Sequence, residues 1–99
     1  MVYGVRIHNY GDPGVLSFEE IDVGVPGAGE VLVRHEAIGL NYIDTYQRSG
    51  LYPLPALPAV LGLEAAGIVV ACGGGVVELS EGDRVAYADQ LGAYCQERV

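Results

Sequence analysis

The densest chemistry in the chain lies between residues 41 and 52, which read Asn-Tyr-Ile-Asp-Thr-Tyr-Gln-Arg-Ser-Gly-Leu-Tyr. Asn41 offers an amide that both donates and accepts. Tyr46 and Tyr52 offer phenols that can stack on a flat ring and donate a hydrogen bond to its oxygen. The same residue types have structural uses: Asn is a favoured helix N-cap, and tyrosines on a short helix or beside prolines serve packing. Ile43 can wall an apolar pocket or pack in the core. Asp44 and Glu64 are carboxylates whose expected role is structural hydrogen bonding, Arg48 being one available partner. A general-acid role would need a raised pKa. His8 and His35 stand singly on predicted strands and read as solvated or core histidines. Cys72 and Cys95 fit no C-x-x-C spacing and lie near no histidine, so they make neither a disulfide framework nor a zinc site. Cys72 is expected to be an inert small hydrophobe. Cys95, near the end of the chain, could stand exposed for want of a covering segment.

The elements that must position these groups are mostly short strands. Val2 to His8 opens as a strand, and the Gly11-Asp12-Pro13-Gly14 cluster predicts a turn. Val15 to Val23 resumes extended structure and pairs with the first strand as a hairpin. Gly24 to Gly29 is a loop. Glu30 to Ile38 has period-2 alternation, with Val31, Val33, His35 and Ala37 on one face. One helix is predicted over Tyr42 to Ser49, with Asn41 as N-cap and Gly50 just past its end. Asp44 in its first turn and Arg48 in its last agree with the helix dipole. Leu51 to Pro58 carries three prolines and must be an extended loop, stiff enough to hold a pocket wall. Glu64 to Val77 is β-rich with internal glycines that predict bends or bulges. A turn at Leu79 to Gly82, a strand over Asp83 to Ala88 and a further strand beginning in Gly92 to Val99 complete the pattern. The fold class expected is mainly β, a small barrel-like domain with one short helix.

Composition narrows the function classes. The 99 residues carry 15 glycines, which disfavours a helical bundle, and are 51% hydrophobic, enough for a packed core. Five arginines, no lysine and a net charge of −8 give nucleic acid and anionic membrane surfaces no electrostatic hold. No uninterrupted apolar run is long enough to span a bilayer. Residues 1–30 lack a basic start followed by an apolar run, so no signal peptide is visible and the cytoplasm is the expected location.

Five stretches in order carry a resemblance. They are Ala37-Ile38-Gly39-Leu40-Asn41-Tyr42-Ile43-Asp44-Thr45-Tyr46, Arg48 to Pro53, Gly62-Leu63-Glu64-Ala65-Ala66-Gly67-Ile68-Val69, Gly82-Asp83-Arg84-Val85 and Gly92-Ala93-Tyr94. Together they resemble the quinone oxidoreductase (zeta-crystallin-like) branch of the medium-chain dehydrogenase/reductase superfamily, over essentially the whole chain. The resemblance implies a GroES-like, partly open β-barrel on the substrate side of the enzyme. It implies that a Rossmann domain follows before the chain returns to finish the first domain. No glycine-rich dinucleotide fingerprint opens a helix here, so residues 1–99 are expected to be an incomplete N-terminal domain without the main NADPH site. A full-length homodimer is implied as well.

Zinc-dependent relatives carry a Cys at the position of Asn41 and a His at that of Leu63. Leu63 can donate nothing and an amide oxygen is a poor zinc ligand, so no metal is expected. The implied activity is hydride transfer from NADPH to a quinone, an acceptor electrophilic enough to need only hydrogen-bond donors at its oxygen. The implied catalytic residues are Asn41, Tyr46 and Tyr52, and the implied cofactor contacts are Asn41, Ile43 and Tyr46. Two alternatives stay open: a zinc-free reductase of activated C=C bonds such as an enone or haloacrylate, and a non-catalytic GroES-like binding or structural domain. The 99-residue chain alone is expected to be inactive.

Overall fold

The β-branched Val2, Val5 and Ile7 and the aromatic Tyr3 favour extended chain, and Val2–Ile7 is a strand, β1, in the computed structural model, which describes residues 1–99. Asp12 caps a single 3-10 turn over Pro13–Val15, its carboxylate accepting from the Gly14 N–H at 2.9 Å. The second strand, β2, therefore starts only at Ser17 and runs to Ile21, inside the predicted Val15–Val23. It pairs antiparallel with β1, as the hairpin reading expects. Arg6 and His8 both reach Glu19 across this pair, so His8 is partnered and not solitary.

Strand β3 covers Val31–Ile38, α1 covers Tyr42–Ser49, and β4 is a two-residue strand, Ala59–Val60, that adds to the free side of β1. The proline stretch before β4 is extended loop, with a cis peptide at Leu57–Pro58. Within the β-rich stretch Glu64 to Val77, β5 is the strand Ala65–Cys72, and a turn at Gly74–Gly75 follows it. Strand β6 is Arg84–Tyr87 and β7 is Glu97–Arg98. Two sheets result, ordered β2-β1-β4 and β6-β5-β3-β7, and neither closes on itself.

The predicted alternation of β3 fails in part. Its register against β5 shifts between Leu32 and Val33 and again between His35 and Ala37. A bulge moves the next side chain to the other face, so Val31, Val33, His35 and Ala37 do not share one environment: Val33 is buried and Ala37 is exposed.

The sheets are stitched by residues 93–97. Val5 donates to the Tyr94 carbonyl at 2.7 Å, Gln96 to that of Tyr3 at 2.9 Å, and His35 to that of Gln96 at 2.8 Å. Ile7, Leu61 and Val69, each at most 1% exposed, fill the centre, each worth about 1.5–3 kcal/mol of burial. Ala93 and Cys95 join them, so Cys95 is buried at 4% exposure and not open to solvent as expected. Cys72 is half-buried near the end of β5.

Candidate functional site

The polar residues of interest sit at the two ends of α1 and in the loop after it. Asn41 is extended, with φ −134° and ψ 153°, so its carbonyl can accept the first helical bond, from the Asp44 N–H at 3.0 Å. Asp44 returns a bond by accepting from the Asn41 N–H at 3.0 Å. This is the residue pairing of a capping box, but the Asp44 N–H is taken by the Asn41 carbonyl and the Asn41 amide closes no cap hydrogen bond. Asn41 is exposed. The helix end is fixed by Gly50, left-handed at φ 88°, and by two bonds with the turn before β2: Arg48 Nε donates to the Gly11 carbonyl at 3.1 Å and the Gly11 N–H to the Arg48 carbonyl at 3.0 Å. Arg48 thus serves Gly11, not Asp44 or Glu64.

Asp44 is the one buried charged residue, at 4% exposure. Its second donor is the Tyr94 hydroxyl, and its other oxygen, Oδ1, has no partner. Burial, and then the hydrogen bond to Asp44, push the Tyr94 phenol well above the usual tyrosine range. Glu64 is exposed, and its carbonyl accepts from the Gly39 N–H at 3.1 Å.

Tyr46 and Tyr52 meet. Their rings lie 5.4 Å apart in an edge-on arrangement, and the Tyr52 N–H donates to the Tyr46 carbonyl at 3.2 Å. Both are partly open, at 39% and 51% exposure, which leaves ring surface for a flat ligand. Ile43 is half-buried on the same helix. No hydrogen bond joins Asn41 to the tyrosine pair, so the four positions share one helix and its following loop and no closed network.

Tyr10, which the sequence did not mark, steadies this loop. Its hydroxyl accepts from the Leu54 N–H at 2.8 Å, and a Cβ at Gly50 would lie 3.0 Å from its ring. Tyr94 was likewise visible only as a letter in Gly92-Ala93-Tyr94. His35 is no isolated histidine either: its Nδ1 lies 2.6 Å from the Cys95 carbonyl and its Nε2 2.9 Å from the Tyr87 hydroxyl. A carbonyl can only accept, so Nδ1 carries a proton and donates to Cys95, and the Tyr87 hydroxyl bonds to Nε2.

A cavity of about 710 Å³ is not lined by Asn41, Tyr46 or Tyr52. It lies over the junction of the sheets, against Tyr3, Phe18, Arg34, Ile38, Leu40 and Cys95. Tyr3 and Phe18 stack there at 5.1 Å, and Phe18 is 71% exposed. Beside its apolar area that surface carries Arg34, His35, Glu36, Gln96 and Glu97, of which Arg34 and Glu97 are paired with each other. No group of three His, Cys, Asp or Glu converges in a way that could hold a metal. No helix is long and apolar enough to cross a membrane.

A nicotinamide ring carries a carboxamide and a flat face. The unpartnered Asn41 amide, the half-buried Ile43 and the Tyr46 ring fit that end of the cofactor. The phosphate end is not matched: Arg6 and Arg34 are paired with glutamates and Arg48 and Arg98 donate to carbonyls.

Residues 27–98 match the family described as the alcohol dehydrogenase GroES-like domain. The chain is 51% identical over 100 residues to a quinone oxidoreductase of Pseudomonas aeruginosa, covering all of this chain and 31% of that one. It is 44% identical over 104 residues to a 2-haloacrylate reductase of a Burkholderia species, again with 31% of the relative covered. Among solved structures, the quinone oxidoreductase of Escherichia coli in complex with NADPH superimposes with a TM-score of 0.92 at 48% identity, over 97% of this chain and 30% of that one. The chain therefore spans about a third of the length of these relatives.

Proposed function

The chain belongs to the alcohol dehydrogenase GroES-like domain family, and on that premise we propose that it is the substrate-side wall of an NADPH-dependent quinone reductase. The observation that carries the reading is the pairing of an exposed Asn41 amide, free of cap bonding, with the open Tyr46–Tyr52 ring pair on the same helix-and-loop unit. When bound, NADPH supplies the hydride. Asn41, with Ile43 and Tyr46, orients the nicotinamide end. Tyr46 and Tyr52 stack the quinone, and a phenol donates to the carbonyl oxygen where negative charge develops. The donor set also supports a zinc-free reaction, since Leu63 has no ligand atom and Asn41 only a weak one.

The phosphate-binding domain is proposed to lie in further chain, because four of the five arginines here are already engaged. The longer protein is proposed to act as a cytoplasmic homodimer on small molecules, and the net charge of −8 favours neither nucleic acid nor anionic lipid. A second reading, reduction of an activated C=C bond, is supported by the 44% identity to the haloacrylate reductase.

The test is a chimera in which this chain replaces the matched N-terminal segment of the Pseudomonas aeruginosa relative. NADPH consumption is compared with benzoquinone and with an enone. Faster turnover of benzoquinone is expected. Preference for the enone would move the assignment to the second reading, and a folded, NADPH-binding chimera idle on both would favour a non-catalytic domain.

A further inference from the structure

The Asn41 backbone is held from below by a chain of contacts that starts in the core. Leu61, 1% exposed, and the buried Gly62 accept three successive N–H bonds from the segment that carries Tyr94. Gly92 and Ala93 donate to the Gly62 carbonyl at 2.9 and 3.1 Å, and Tyr94 to that of Leu61 at 2.8 Å. The Tyr94 carbonyl takes the Val5 N–H at 2.7 Å. The Tyr94 ring lies directly over Gly62, where a Cβ would collide with it and where φ is +94°. Backbone and ring are thus both fixed, and the hydroxyl is delivered to Asp44 Oδ2. That same oxygen accepts the Asn41 N–H at 3.0 Å.

From this geometry we propose that Tyr94, acting through Asp44, is a positioning residue that sets the place of Asn41 for the reaction. The proposal rests on the reading of Asn41 given above. Asp44 is 4% exposed and its Oδ1 has no partner, so the two bonds to Oδ2 are all that hold the carboxylate. Removing the hydroxyl leaves one bond and a buried, under-satisfied carboxylate free to rotate. The Asn41 N–H then loses its fixed acceptor, and the start of α1 moves with it. Displacements of about 1 Å can cost up to about a hundredfold in rate.

Because both donors converge on one oxygen, an amide at position 44 can accept both and a hydrocarbon neither. In the chimera, Tyr94→Phe is expected to lower kcat about tenfold while KM for benzoquinone stays within about twofold. Asp44→Asn is expected to keep kcat within about threefold, and Asp44→Leu to lose it as Tyr94→Phe does. The second readout needs no activity: in 1H–15N spectra of the 99-residue chain, Tyr94→Phe and Asp44→Leu shift the Asn41 amide resonance strongly, and Asp44→Asn shifts it less. An unmoved Asn41 amide in Tyr94→Phe overturns the proposal. So does a kcat unchanged in both Tyr94→Phe and Asp44→Leu alongside lowered melting temperatures, which is the pattern of a purely structural contact. A chimera inactive in every form with the amide shifts present would defeat the quinone reductase reading and leave the Tyr94–Asp44–Asn41 linkage standing.

Discussion

Asn41 and Asp44 divide the work at the start of α1: the backbone of one and the carboxylate of the other close the cap, which leaves the Asn41 amide to face solvent. Tyr46 and Tyr52 pack edge-on against each other and both stay partly exposed. Charge at single residues also sets how the fold responds to pH. Glu19 is held to a pKa of about 2 by its bond to the Arg6 guanidinium and, next, to His8. A depressed carboxylate pKa adds stability above its unfolded value of 4.5 and loses it as the pH falls toward 2. Glu19→Gln should therefore flatten the acid limb of the stability curve between those values, measured by urea unfolding from pH 5 to pH 2. An unchanged limb would mean that the β1–β2 ion pair is not formed in solution.

Among the elements, the helix was legible to the residue: Asn41, Asp44 and Gly50 are local signals that depend on nothing distant, and α1 begins and ends where they place it. Strands were legible only in outline. β3 breaks its own period at two bulges, which are set by pairing with β5 and leave no mark in the sequence of β3. β4 has two residues after a proline, too few to show alternation, and exists because β1 offers it a free edge. The proposed site was half legible. Asn41, Tyr46 and Tyr52 announce themselves by type and motif, whereas Tyr94 and Tyr10 act across 50 and 44 positions of chain, a separation no local pattern reports. Gly67 has a clear element-level role: β3 and β5 approach so closely there that a Cβ would run into the Arg34 carbonyl. Gly67→Ala should cost about 1–3 kcal/mol, the usual range for overpacking, seen as a lower urea midpoint. A loss below about 0.5 kcal/mol would show that the sheet gives way easily at this point.

At the scale of the whole molecule, two open sheets share a thin core, with 13 of 99 residues buried and large apolar side chains such as Phe18 and Leu40 left at the surface. Such a unit can present a pocket wall but offers no free cluster of positive charge for a dinucleotide. The 99-residue chain alone should accordingly show no NADPH-dependent quinone turnover above the uncatalysed rate, followed as loss of NADPH absorbance. Robust turnover would relocate the cofactor site into these residues. The most direct test of the central claim is Asn41→Ala in the chimera with the Pseudomonas aeruginosa relative, read as kcat with benzoquinone together with the urea midpoint. Because the Asn41 amide makes no cap bond, the substitution is expected to cost less than about 0.5 kcal/mol of stability, below what an N-cap substitution ordinarily costs, and to reduce kcat at least about tenfold, or some 1.4 kcal/mol of barrier. Unchanged kcat, or a fall in kcat matched by a full capping loss in stability, would contradict that claim.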